Sequence, residues 1–122
     1  MHTVSTEMAN LAVAALKDKK AHDIRLLDIA EITTLADYFI IATGTSTTHV
    51  QSLADEIEYK LSEAGHKLHH KEGFRNGRWI LVDYGNIVVH VFHDEERKYY
   101  NLEKIWVDAK SIPVDSEDDM LL

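Results

Sequence analysis

The residue types best suited to chemistry are concentrated in ATGTSTTHVQSLADEI, residues 42–57, where a glycine and five Ser/Thr hydroxyls precede a helical pattern. Such a turn can hold phosphate on the free amides of a helix N-terminus. A Walker-type loop also needs a second glycine followed by Lys and Ser/Thr, the amine to neutralise phosphate and the hydroxyl to hold magnesium. GTSTTHV has no lysine. A dinucleotide fingerprint needs three spaced glycines, and only Gly44 is present. Nucleotidyltransferases use a similar turn between strand and helix, but require paired carboxylates on a neighbouring strand to bind two metal ions. Asp37 and Asp83 are single acids at expected strand ends, and Asp23 and Asp28 are an odd number of residues apart, which sends them to opposite faces. Helix capping explains the same residues more simply. Thr48 and Gln51 match a capping box, and Gly44 allows a tight exit from a sheet. Capping is therefore preferred, with a nucleotide-binding or nucleotidyltransferase-type enzyme built on Gly44 to Thr48 as the alternative.

Eight histidines raise the question of a metal site. His90 and His93 would face opposite sides of one strand, and His69 and His70 are adjacent, so neither pair converges on an ion. No metal or other cofactor is expected. His90, within IVVHVF, reads as a buried histidine bonded to a carboxylate such as Asp83 across a hairpin. Ser46 and His49 lack the G-x-S-x-G elbow that would expose a nucleophile. No catalytic residue is assigned.

These residues are positioned by helices and strands in the order helix, two strands, helix, further strands ending in a hairpin, and a last helix. Val4, Met8, Leu11, Ala12, Ala15 and Leu16 recur at helical spacing, with Thr3 and Ser5 as caps and lysines in the last turn. Strands follow around residues 24–28 and 37–43, joined by an irregular EITTLA. Val50, Leu53, Ala54, Ile57 and Leu61 form a second helical stripe that begins at Thr48 and ends before Gly65. HKLHHKEG suits an exposed edge strand. Residues 78–84 and 87–92 flank Gly85-Asn86, whose leading glycine suits a type II′ turn and a hairpin. Asp94 is placed as the cap of a last helix in which Tyr99, Leu102 and Trp106 meet the sheet. The sum is an α/β fold, a mixed sheet of about five strands packed with helices.

The chain of 122 residues fits one domain, placed at 1–113, and the following VDSEDDMLL reads as a disordered acidic tail over 114–122. That tail carries four of the 21 acids, leaving 17 acidic against 13 basic residues before it, so the net charge of −8 falls to −4 for the body. A mildly acidic body argues against direct nucleic-acid binding, in which Lys and Arg contacts to phosphate supply most of the affinity. Cysteine is absent, which excludes disulfides and thiolate sites and favours a reducing, cytoplasmic setting. No apolar run approaches a membrane span of roughly 20 residues, and MHTVSTEMAN lacks the basic flank and apolar core of a secretory signal.

Strand alternation in the hairpin puts Trp79, Leu81 and Asp83 on one face and Ile80, Val82 and Tyr84 on the other. One face packs on helices. The other is either a second covered face or an apolar patch for a protein partner, where tryptophan is enriched.

DYFIIATGTSTTHVQSLAD, KEG, WILVDYGNIVVHVF and ERKYYNLEKIW, in this order, resemble the ribosomal silencing factor family, also called iojap-like proteins, over nearly the whole body. The matching positions are Asp37, Gly44, Ser46, His49, Asp55, Glu72, Gly73, Trp79, Asp83, Gly85, His90, Arg97, Tyr100 and Trp106. Asn86 departs from an Asp common in relatives. The resemblance implies a nucleotidyltransferase-like topology without the catalytic acids. It also implies a translational repressor, not an enzyme, acting when nutrients are short. Its expected partner is the fourteenth ribosomal protein of the large subunit, bound so as to block joining of the small subunit. On that basis Trp79, Leu81, Asp83, Glu72 and Lys71 are the candidate partner-binding residues, and the same patch could pair two copies into a homodimer off the ribosome.

Overall fold

The computed structural model describes residues 3–96 and 110–114. The element order is α1 (Thr3–Asp18), β1 (His22–Asp28), β2 (Tyr38–Gly44), α2 (Thr47–Glu63), β3 (His70–Glu72), β4 (Trp79–Asp83), β5 (Ile87–His93) and β6 (Lys110–Ile112). One sheet of order β3-β4-β5-β2-β1-β6 contains all the described strands. Only β2 and β5 pair in parallel, and the connection between them carries α2 and the β3–β4 pair; the other neighbours are antiparallel. The expected mixed α/β sheet is present, with six strands rather than about five. The additional one, β6, is three residues long and pairs with β1 at the edge.

Alternation and helical periodicity together explain the main core. Met8, Ala9, Ala12, Val13, Ala15 and Leu16 of α1 and Val50, Leu53, Ala54, Ile57 and Leu61 of α2 pack on Leu26, Ile40, Ala42, Ile80, Val82, Val89 and Val91. Both helices thus cover the same face of the sheet. Complete burial of each large aliphatic side chain contributes about 1.5–3 kcal/mol. On the opposite face Leu27, Ile29, Ala36, Phe39, Ile41 and Phe92 form a smaller cluster, with Trp79 and Val88 packed against it. The contacts expected of Tyr99, Leu102 and Trp106, and the acidic tail beyond Val114, lie outside the described residues.

Several local expectations are corrected. Val4 is exposed rather than part of the helical stripe. Ser5 lies inside α1, buried, where its hydroxyl donates to Asp37 and accepts from the Asn86 amide at 3.0 Å. Neither role is a cap. Asn86, unlike an ionised aspartate, supplies this donor, and the link ties α1 to the hairpin turn. β1 begins at His22, ahead of the expected residue 24, because an irregularity between His22 and Arg25 places Asp23 at φ 49°. The hairpin closes as expected around Gly85-Asn86, with Tyr84 N donating to Ile87 O at 3.0 Å. Gly85 has φ 88° while Asn86 is not among the positive-φ residues, which fits a type II′ turn. Gly65 follows α2 at φ 88° as the expected left-handed residue.

Candidate functional site

Pairing register lays residues in rows across the sheet. Glu72, Leu81, His90, Ile41 and Arg25 form one row, and His70, Asp83, Val88, Phe39 and Leu27 form the next. Both rows lie on the face opposite α1 and α2. Each is charged or polar at the β3 edge; the first has His90 at its centre between Leu81 and Ile41, and the second turns apolar from Val88 to Leu27. Trp79 pairs with Phe92 and stacks on it, their ring centroids 5.0 Å apart at 27°. Trp79, Leu81 and Asp83 are half-buried, whereas Ile80 and Val82 between them are completely enclosed. The apolar strip that the sequence placed on one face is therefore real and partly open.

The structure joins four of the five candidate residues. Trp79, Leu81, Asp83 and Glu72 share this face. Lys71 does not. It pairs with Val82, so its side chain emerges on the helix side, where Nζ is 2.7 Å from Glu58 and 4.4 Å from the centre of the Phe74 ring. Glu72 is exposed and pairs with the His70 ring at the edge.

Trp79 is held from several directions. Arg78 bonds Glu96 at 2.7 Å and Glu95 at 3.2 Å, and His93 N donates to Arg78 O, fixing the entry to β4. Gly73, at φ 79°, leaves room for the backbone of Trp79: a Cβ there would lie 2.1 Å from the Trp79 carbonyl oxygen. The indole Nε1 donates to His90 Nδ1 at 2.9 Å. His90 is buried as expected, its ring 4.6 Å from that of Phe39. Its bonding partner, however, is Trp79 and not Asp83. Asp83 Oδ1 instead accepts the Gly85 amide at 2.7 Å, because the tight turn leaves that donor in need of an acceptor. Burial lowers the His90 pKa from 6.5 to about 4, with the Asp83 charge opposing the shift. At neutral pH the imidazole is uncharged, with Nδ1 accepting and the proton on Nε2.

The hydroxyl-rich turn is organised around its helix. The cap of α2 is Ser46, whose Oγ accepts His49 N at 3.0 Å; the expected pair of Thr48 and Gln51 does not form the cap. Thr48 lies inside the first turn, and Gln51 donates to the carbonyls of Phe74 and Arg75. His49 accepts from Thr45 N at 2.9 Å and bonds Lys19 O at 2.7 Å, which links the end of α1 to the start of α2. A Cβ on Gly44 would lie 2.8 Å from Val50, so helix packing accounts for the glycine. Asp94 is helical rather than a cap, and His93 Nδ1 takes the Glu95 amide. Among the described residues no three His, Asp or Glu side chains converge as metal ligands. No described helix is long and apolar enough to cross a membrane.

A family model described as "Ribosomal silencing factor during starvation" matches residues 2–121. The chain belongs to this family of ribosomal silencing factors. It is 50% identical over 105 residues to ribosomal silencing factor RsfS of Bacillus subtilis, covering 86% of this chain and 89% of that protein. A solved structure from Chromobacterium violaceum superposes with a TM-score of 0.82 at 40% identity, covering 94% of this chain and 97% of that one. A mouse relative named "Mitochondrial assembly of ribosomal large subunit protein 1" is 32% identical over 100 residues, which are 80% of this chain and 44% of that protein. Ribosomal silencing factors are ribosome-associated regulators and not enzymes, so the nucleotide-handling alternative is set aside.

Proposed function

We propose that this ribosomal silencing factor lowers translation when nutrients are short by docking on the fourteenth ribosomal protein of the large subunit and sterically blocking the small subunit. The observation that carries the proposal is the half-buried strip of Trp79 and Leu81, bordered by Asp83 and Glu72. An indole and a leucine provide an apolar centre for affinity. The acids beside them complement a Lys- and Arg-rich ribosomal protein, raising on-rate and fixing orientation. Lys71, directed to the other face, is left out of this docking surface. The name of the mouse relative supports the large subunit as the partner. Off the ribosome, in the cytoplasm, the same strip pairs two copies.

Co-sedimentation with purified large subunits tests the reading. Trp79→Ala should abolish binding with the fold retained by circular dichroism; binding at full strength in that variant contradicts the docking face. The dimer is checked by sedimentation equilibrium, where Leu81→Asp should yield the monomer.

A further inference from the structure

We infer that His90 is a positioning residue for partner docking: its Nδ1 fixes the Trp79 indole before the partner arrives. This rests on the docking face proposed above and adds a specific requirement to it. Trp79 and His90 are diagonal neighbours, since Trp79 pairs with Phe92 and His90 with Leu81. Diagonal pairs on a sheet are within reach only of long or aromatic side chains. The reach is closed here by the 2.9 Å bond from the indole N–H. His90 is itself held between Phe39 and Trp79, with ring centroids at 4.6 and 5.8 Å. Phe92 supports the indole from below, at 5.0 Å.

Two consequences follow from this arrangement. An indole already held in one rotamer loses less conformational freedom on binding. The donor of Trp79 is also already satisfied within the protein. A partner therefore gains nothing by offering the indole N–H a hydrogen-bond acceptor.

The test uses the full chain and purified large subunits, with two readouts. The Trp79 indole N–H resonance, assigned with Trp79→Phe, reports positioning, and co-sedimentation reports docking. His90→Phe keeps a ring and removes the acceptor. His90→Asn keeps an oxygen near the Nδ1 position. The expected result for His90→Phe is an indole N–H shifted toward its solvent-exposed position, with faster hydrogen exchange and affinity reduced up to roughly tenfold. His90→Asn should restore both readouts. If the phenyl variant does not fold, His90→Gln gives the same contrast, because its amide lies at the level of Nε2. The inference is overturned if loss of the acceptor leaves the indole resonance unchanged, or if full binding persists there while Trp79→Ala abolishes it. Full binding in Trp79→Ala instead overturns the docking face itself.

Discussion

Alternate residues of β4 serve opposite ends. Ile80 and Val82 point toward α1 and α2 and are completely enclosed, while Trp79, Leu81 and Asp83 point the other way and keep part of their surface open. On the first face, helical stripes and alternating strand residues fit one another, and the few polar groups, such as Ser5 with Asp37 and Asn86, are paired at the margin. On the second, an apolar cluster is combined with a histidine, an indole donor and edge charges. In β4 parity within the strand sets burial, whereas β2, at the centre of the sheet, is buried at every position. Neighbours one position apart are thus fully enclosed or partly open, and the open set is the proposed docking surface.

The largest expected contrast comes from truncating each side of β4 in turn. Ile80→Ala removes a fully enclosed side chain and should destabilise the fold by about 2–5 kcal/mol. Leu81→Ala, half-buried, should cost less than about 1 kcal/mol in chemical denaturation while reducing large-subunit binding. Equal stability losses in the two variants would erase the distinction between faces.

A second contrast is read from pH. His90 is uncharged in the fold with its pKa lowered to about 4 from 6.5, so the unfolded chain takes up a proton there first as pH falls. The stability associated with neutral His90 is fully present above pH 6.5 and is lost as pH falls toward 4, by up to about 3 kcal/mol. Urea midpoints across this range should show a slope that His90→Asn flattens. The same slope in that variant would assign the titration to other groups.

Smaller effects belong to the ends of the helices on the packed face. Ser46→Ala removes the cap of α2 and should cost about 1 kcal/mol, whereas Thr48→Ala, inside the helix, should be nearly neutral by thermal melting. Lys20 follows α1 at φ 60°, a conformation that favours glycine, with Ala21 N bonded to Leu16 O at 2.8 Å. Lys20→Gly should therefore stabilise by up to about 1 kcal/mol, leaving docking untouched.

The packed face was largely legible from the sequence because its signals are long. The α2 stripe, the apolar β2 run and the Gly85-Asn86 turn each follow from periodicity or turn chemistry over several residues. The cap was mislocated because TSTT offers several hydroxyls, and only the turn geometry after Gly44 selects Ser46. β6 was missed because three residues, KSI, are too short to show a period. Two features of the proposed docking face were nevertheless within reach of sequence reasoning. Lys71 and Glu72 are adjacent in one strand, so parity alone separates them. The Trp79–His90 bond follows from extending the two-residue hairpin register, which sets Leu81 opposite His90 and makes Trp79 its diagonal neighbour. The carboxylate of Asp83 is the more obvious partner by charge, but the turn has a nearer use for it.

The proposed division of roles in β4 is that one face folds the protein and the other docks it. It is tested most directly by measuring large-subunit co-sedimentation for Trp79→Ala beside its urea midpoint. Binding should disappear while the variant remains cooperatively folded. Binding at wild-type strength by the folded variant would contradict it.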